Sequence, residues 1–210
     1  MYSVNADSIL ESMWQERTAI FRNLVEKQAK LADYEFLQNN LRLVDVSSDE
    51  NYQRKFNDFY KMRSKPNTWY TVFFKLLEEY KNHSNIEFEG VLRKLFAQTS
   101  EVHPSFSSKF VATVDPSKPI YDSVVMANLG LRVSWYKDSS IRIEKALDNY
   151  QELKFFHTEA ANSEQFPKLL FEFDNIFHSY RHFAPTKKID LMLWQWRSKS
   201  IAEPKSVREA

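Results

Sequence analysis

The stretch His103–Leu131, HPSFSSKFVATVDPSKPIYDSVVMANLGL, joins tight-turn chemistry to a candidate amine and a candidate carboxylate, and the rest of the chain reads as helical support for it. Pro104 to Ser108 are small or turn-compatible residues around one aromatic, which predicts a short hairpin at 103–108 with Ser107 or Ser108 capping a new helix. That helix carries Lys109, Phe110, Val111 and Val114. It should end at Asp115-Pro116, because proline has no N–H and disfavours helix in the residue before it. Pro119 stiffens the approach to Tyr121 and Asp122. Asp122 is placed to cap a further helix through Val124, Val125, Met126 and Leu129, closed at Gly130, where a left-handed residue costs little.

The 210 residues, 43% hydrophobic and 15% aromatic, suffice for one substantial core and predict a single helical domain over 1–197, in one or two lobes. The segment 198–210, SKSIAEPKSVREA, is polar and reads as a fraying tail. With no cysteine, disulfides, thiolate metal sites, iron–sulfur clusters and a cysteine nucleophile are excluded. Gly90 and Gly130 are the only glycines, too few for Walker or Rossmann phosphate loops or for a turn-rich β fold. No run of eighteen apolar residues and no basic-plus-apolar leader occurs, so the expectation is a cytoplasmic chain with no membrane partner. A formal charge of +1 means that any nucleic-acid contact relies on local patches.

Apolar periodicity predicts an all-α fold of about eight or nine helices. The first is long and amphipathic, opened by a Ser8/Glu11 capping box and running from Ile9 to Leu31. A break at Ser47–Asp49 precedes a helix with Tyr52, Phe56, Phe59 and Tyr60, flanked by the basic residues Arg54, Lys55, Lys61, Arg63 and Lys65. These either hold phosphates or form a solvated face. Further helices follow around Trp69–Tyr80, Phe88–Phe96, Ile143–Phe156, Glu164–Arg181 and Thr186–Trp196, with Trp135 and Tyr136 in a short connection. Asp174, His178 and His182 recur at four-residue steps on one predicted helix; without an HExxH pattern they read as its polar flank, and no metal or cofactor is expected.

His103-Pro104-Ser105-Phe106-Ser107-Ser108-Lys109 resembles the L-P-G-V-G-x-K signature of helix-hairpin-helix base-excision DNA glycosylases. Pro119-Ile120-Tyr121-Asp122 and the Asn128-Leu129-Gly130 close are similar to the V-P-V-D and R-L-G segments of that family. The stretch is also similar to a set of uncharacterised bacterial proteins that pair S-F-x-S-K with P-I-W/Y-D-S-x-V. The resemblance covers roughly 30 residues, a short span for a motif match. It implies duplex DNA as partner, contacted by hairpin residues Ser105, Phe106, Ser107 and Ser108. Lys109 would be the nucleophile attacking the sugar C1′ and Asp122 the carboxylate that assists it, with Tyr121 at the pocket. Serines stand at both glycine positions of the hairpin, and Lys109 and Asp122 lie about one helical turn closer than in the family pattern. A second reading therefore stands beside the first: a non-catalytic helical interaction protein that keeps the scaffold, with Lys109 solvated and Phe106 and Tyr121 serving as packing.

Overall fold

The computed structural model describes residues 4–132 and 136–197, and among these every regular element is helical. Eleven α-helices occur there: α1 (Ala6–Gln15), α2 (Arg17–Glu26), α3 (Ala29–Asn40), α4 (Glu50–Tyr60), α5 (Asn67–Tyr80), α6 (Phe88–Thr99), α7 (Pro104–Val114), α8 (Ser123–Asn128), α9 (Ser139–Ala160), α10 (Gln165–Ile176) and α11 (Pro185–Gln195). The all-α expectation holds. Trp135 and the tail 198–210 lie outside the described residues. No described helix is long and apolar enough to cross a membrane.

The count exceeds eight or nine mainly because the long N-terminal helix is three. A straight helix from Ala6 to Asn40 would run about 50 Å at about 1.5 Å per residue, longer than a globule of this size can cover. The chain bends at Glu16 (φ −95°, ψ 7°) and again at Lys27 (φ −113°, ψ 22°). Each piece thereby turns its own apolar face inward: Leu10 and Met13 in α1, Ile20, Phe21 and Leu24 in α2, Leu31, Tyr34 and Leu37 in α3. α1 meets α9 and α10, α2 meets α11, and α3 meets α4. The N-cap is Asn5, whose Oδ1 accepts from Ser8 N at 3.0 Å, so the Ser8/Glu11 capping box does not form.

The turn expected at 103–108 lies earlier in the chain. α7 begins at Pro104, with His103 at the N-cap, so Ser105 to Ser108 are its first turns and not a turn ahead of it. Proline at the first helical position is favourable, since its missing N–H would have had no intrahelical partner. The corner lies earlier, at Ser100–His103, where Ser100 takes a left-handed φ of 57° and ends α6. α6 and α7 pack together across it.

The close of the stretch follows the sequence. α7 stops before Pro116, and Asp122 Oδ1 caps α8 by accepting from Val124 N at 3.0 Å. Gly130 (φ 70°) terminates α8 with a Schellman pair: Leu131 N to Met126 O at 2.8 Å and Gly130 N to Ala127 O at 3.0 Å.

Two helices are internal. α7 is buried from Ser107 to Val114 and α11 from Lys187 to Leu193, while the buried apolar residues form one continuous cluster around them. α11 packs on α2, α8 and α10. Asp174, His178 and His182 do not share a strip, because α10 ends at Ile176 and His178 opens a separate 3₁₀ turn. Asp174 pairs with Lys188, and His182 lies 3.5 Å from Glu35. No His/Asp/Glu group suited to a metal occurs among the described residues.

Candidate functional site

Lys109 sits on the second turn of α7 and Asp122 at the head of α8, and the Pro116–Pro119 corner folds one onto the other. Lys109 Nζ lies 3.6 Å from Asp122 Oδ2 and donates to Tyr60 O at 3.1 Å. The two oxygens of Asp122 divide the work, Oδ1 capping α8 and Oδ2 facing the amine. Lys109 is only 5% exposed, which rules out the solvated alternative. Burial pulls its pKa below the usual lysine value; Asp122 pulls it up and the Lys61 charge pulls it further down.

Both residues line a narrow, partly open chamber of about 10 Å³, enough for roughly one water, walled by Phe59, Tyr60, Ile120 and Val125 and by one stripe of α11. That stripe is Lys187, Asp190, Leu191 and Trp194, at helical steps of three and four. Lys187 is fully buried, and its Nζ has no hydrogen-bond acceptor among the described residues. It lies instead over the rings of Tyr34 (4.7 Å) and Tyr60 (5.7 Å). Asp190 Oδ2 accepts from Ile120 N at 3.1 Å, and Oδ1 is 3.2 Å from His157 Nε2. The residues around the chamber thus include two lysines and two aspartates, of which the sequence reading recognised one of each. The missed pair had a signal: Lys187 and Asp190 fall on the same helical stripe as the apolar Leu191 and Trp194, where a charged residue has to be buried with its neighbours.

The remaining site residues fall elsewhere. Ser107 and Ser108 are fully buried and their hydroxyls are used internally, Ser107 Oγ donating to His103 O at 2.9 Å and Ser108 Oγ accepting from Tyr121 N at 2.9 Å. The second bond ties α7 to the segment that delivers Asp122. Ser105 is half-buried, with its carbonyl accepting from Ser108 Oγ at 3.0 Å. Phe106 packs on Trp69 and His103, its ring 5.8 Å from the Lys109 amine. Tyr121 is not part of the chamber wall. Its ring stacks toward Phe88, and its hydroxyl accepts from Asn149 Nδ2 at 3.1 Å, so it is packing between α6 and α9.

Next to the chamber an open groove of about 310 Å³ shares the side chains of Phe59, Leu191 and Trp194 with it. Lys27, Lys30 and Lys61 line the groove together with Glu26. The expected basic cluster disperses: Lys55 pairs with Asp33, Lys65 with Glu101, and Arg54 bonds Asn51. Only Lys61 reaches this region, its amine 5.2 Å from the Trp194 ring centre. Comparison with known protein families, with curated protein sequences and with solved structures gives no match, so the likeness to helix-hairpin-helix glycosylases rests on the residues of the 103–131 stretch.

Proposed function

We propose that this chain processes DNA in the manner of helix-hairpin-helix glycosylases, with Lys109 as nucleophile and Asp122 as its proton acceptor. The observation that carries the reading is the meeting of the Lys109 amine and the Asp122 carboxylate, 3.6 Å apart, in one chamber. In this scheme the ammonium gives a proton to Asp122, the free amine bonds to C1′ of the damaged nucleotide, and the C1′–base bond breaks with its electron pair leaving on the base. Burial favours the neutral amine, while the Asp122 carboxylate, whose charge favours the ammonium, is the acceptor placed beside it. A nucleobase is far larger than the chamber, so it would occupy the adjoining groove, with Trp194 the side chain that moves aside.

Borohydride trapping on duplex DNA carrying an abasic site or an oxidised base is the test. A covalent protein–DNA adduct is expected from the unaltered chain and none from Lys109→Gln. A second reading, a non-catalytic helical interaction protein, is favoured by the small chamber and by the inward-turned Ser107 and Ser108 hydroxyls. Absence of any adduct across a panel of lesions decides for it.

A further inference from the structure

The open groove beside the chamber lies where three helices end. α2 stops at Glu26, α4 at Tyr60 and α11 at Gln195, and a cation closely follows each: Lys27, Lys61 and Arg197. Cations at helix C-termini offset the carbonyl end of the helix dipole, and Arg197 does so, donating to Trp194 O at 2.7 Å and to Trp196 O at 3.4 Å. The two lysines turn elsewhere. Lys27 Nζ donates to Gln195 Oε1 at 2.7 Å, and the Lys61 amine stands over the Trp194 ring. Among the described residues neither forms an ion pair, whereas Lys30 pairs with Asp33. Burial lowers the Lys27 pKa, and the Arg197 and Lys61 charges lower it further against Glu26, so positive charge converges on this edge of the groove.

The floor has the opposite character. Leu24, Leu31, Phe59 and Leu191 are buried beneath it, with the half-buried Trp194 alongside. Among the described residues lining the groove, Glu26 is the one carboxylate, against Lys27, Lys30 and Lys61. We infer that this groove binds a small amphipathic carboxylate, its apolar body on the leucine floor and its head at the unpaired Lys27 and Lys61. An apolar floor alone would suit any apolar occupant; the cationic rim selects a negative one. The space of about 310 Å³ holds about ten non-hydrogen atoms, at about 30 Å³ for each, the share of a water in the liquid. A carboxylate spends fewer of these atoms on its head than a phosphate ester does, which leaves more for the floor. The inference goes beyond the glycosylase reading and does not rest on it, since Lys109 and Asp122 take no part. An extruded base and the carboxylate would exclude one another from the groove.

The test uses the intact protein without DNA, so a failed trapping experiment does not bear on it. Sodium octanoate, an anion of the stated size, is titrated calorimetrically at pH 7.5 beside octan-1-ol, and leucine methyl resonances are followed by NMR. Octanoate should bind at one site per chain, shift the methyl groups of Leu24, Leu31 and Leu191, and bind about ten-fold more tightly than octan-1-ol. Lys27 and Lys61 are both exposed, so the double variant Lys27→Met with Lys61→Met should keep the fold. In it octanoate should weaken about ten-fold while octan-1-ol stays unchanged. Octan-1-ol binding as tightly as octanoate, shifts confined to other leucines, or undiminished affinity in the double variant overturns the inference. So does the absence of octanoate binding at millimolar concentration.

Discussion

Lys187 and Lys188 are consecutive residues of one buried helix, yet they occupy opposite electrostatic situations. Successive side chains on a helix point about 100° apart, so Lys188 turns toward the α10 end and Lys187 toward the chamber. Lys188 Nζ donates to Asp174 Oδ1 at 2.6 Å and to Arg181 O at 2.8 Å, a hydrogen-bonded ion pair at the edge of the core. Lys187, one residue earlier, has two aromatic faces and no acceptor among the described residues. A buried ammonium with its partners is compatible with stability; one without them favours losing its proton. The first lysine is a structural tie. The second is kept in a costly environment, which is where chemically used amines are found.

Substitutions can break or sharpen that contrast. The largest effect is expected from Asp190→Ala, which leaves the buried Ile120 N–H without its acceptor and removes a carboxylate whose charge acts on Lys187; a loss of about 3 kcal/mol in urea denaturation is expected. Lys188→Met should cost about 1–2 kcal/mol, because Arg181 O and Asp174 lose a donor while Asp174 keeps access to water. Lys187→Met should go the other way and raise stability by about 1 kcal/mol, an apolar side chain of similar length replacing an unpaired cation. If both methionine variants lose stability equally, the distinction between the two lysines is wrong. The smallest change is expected from Lys61→Ala, about 0.5 kcal/mol for its contact with Trp194 at an exposed position.

The same contrast predicts a pH dependence. Burial lowers the Lys187 pKa to about 8 in the folded chain, below the ordinary lysine value of about 10.4, so between these values the unfolded chain binds a proton that the native one lacks. Stability should therefore rise as pH climbs from about 8 toward 10. Tyr34, Tyr52, Tyr60 and Tyr150 have pKa values raised by burial, and they reverse the trend above pH 10, where the unfolded chain ionises first. Denaturation midpoints measured at pH 7.5 and 9.5 should show the increase in the unaltered chain and a much smaller one in Lys187→Met.

Local chemistry was readable wherever a residue acts on its immediate neighbours. The stop at Pro116, the Asp122 cap and the Gly130 close needed only the dihedral limits and side chains within a few positions, and all three occur. The hairpin was misplaced because Pro104 suits a turn and a first helical residue equally; the left-handed Ser100 decided for the latter. Tyr121 looked like a pocket residue from its position beside Asp122, but neighbours along an extended segment face opposite ways, and its ring went to Phe88.

The amino-acid order by itself determined an all-helical chain without cysteine, with apolar stripes, with caps and breaks at identifiable residues, and with a proline-stiffened corner between Lys109 and Asp122. These depend on backbone sterics and on spacings of a few residues. Tertiary structure alone decided that α11 is buried with its charges, that Lys187 and Asp190 join Lys109 and Asp122 from about seventy positions away, and that the four close around so little space. Side-chain burial is set by which helix packs on which. That choice is made by the whole core at once, and no short window of sequence contains it.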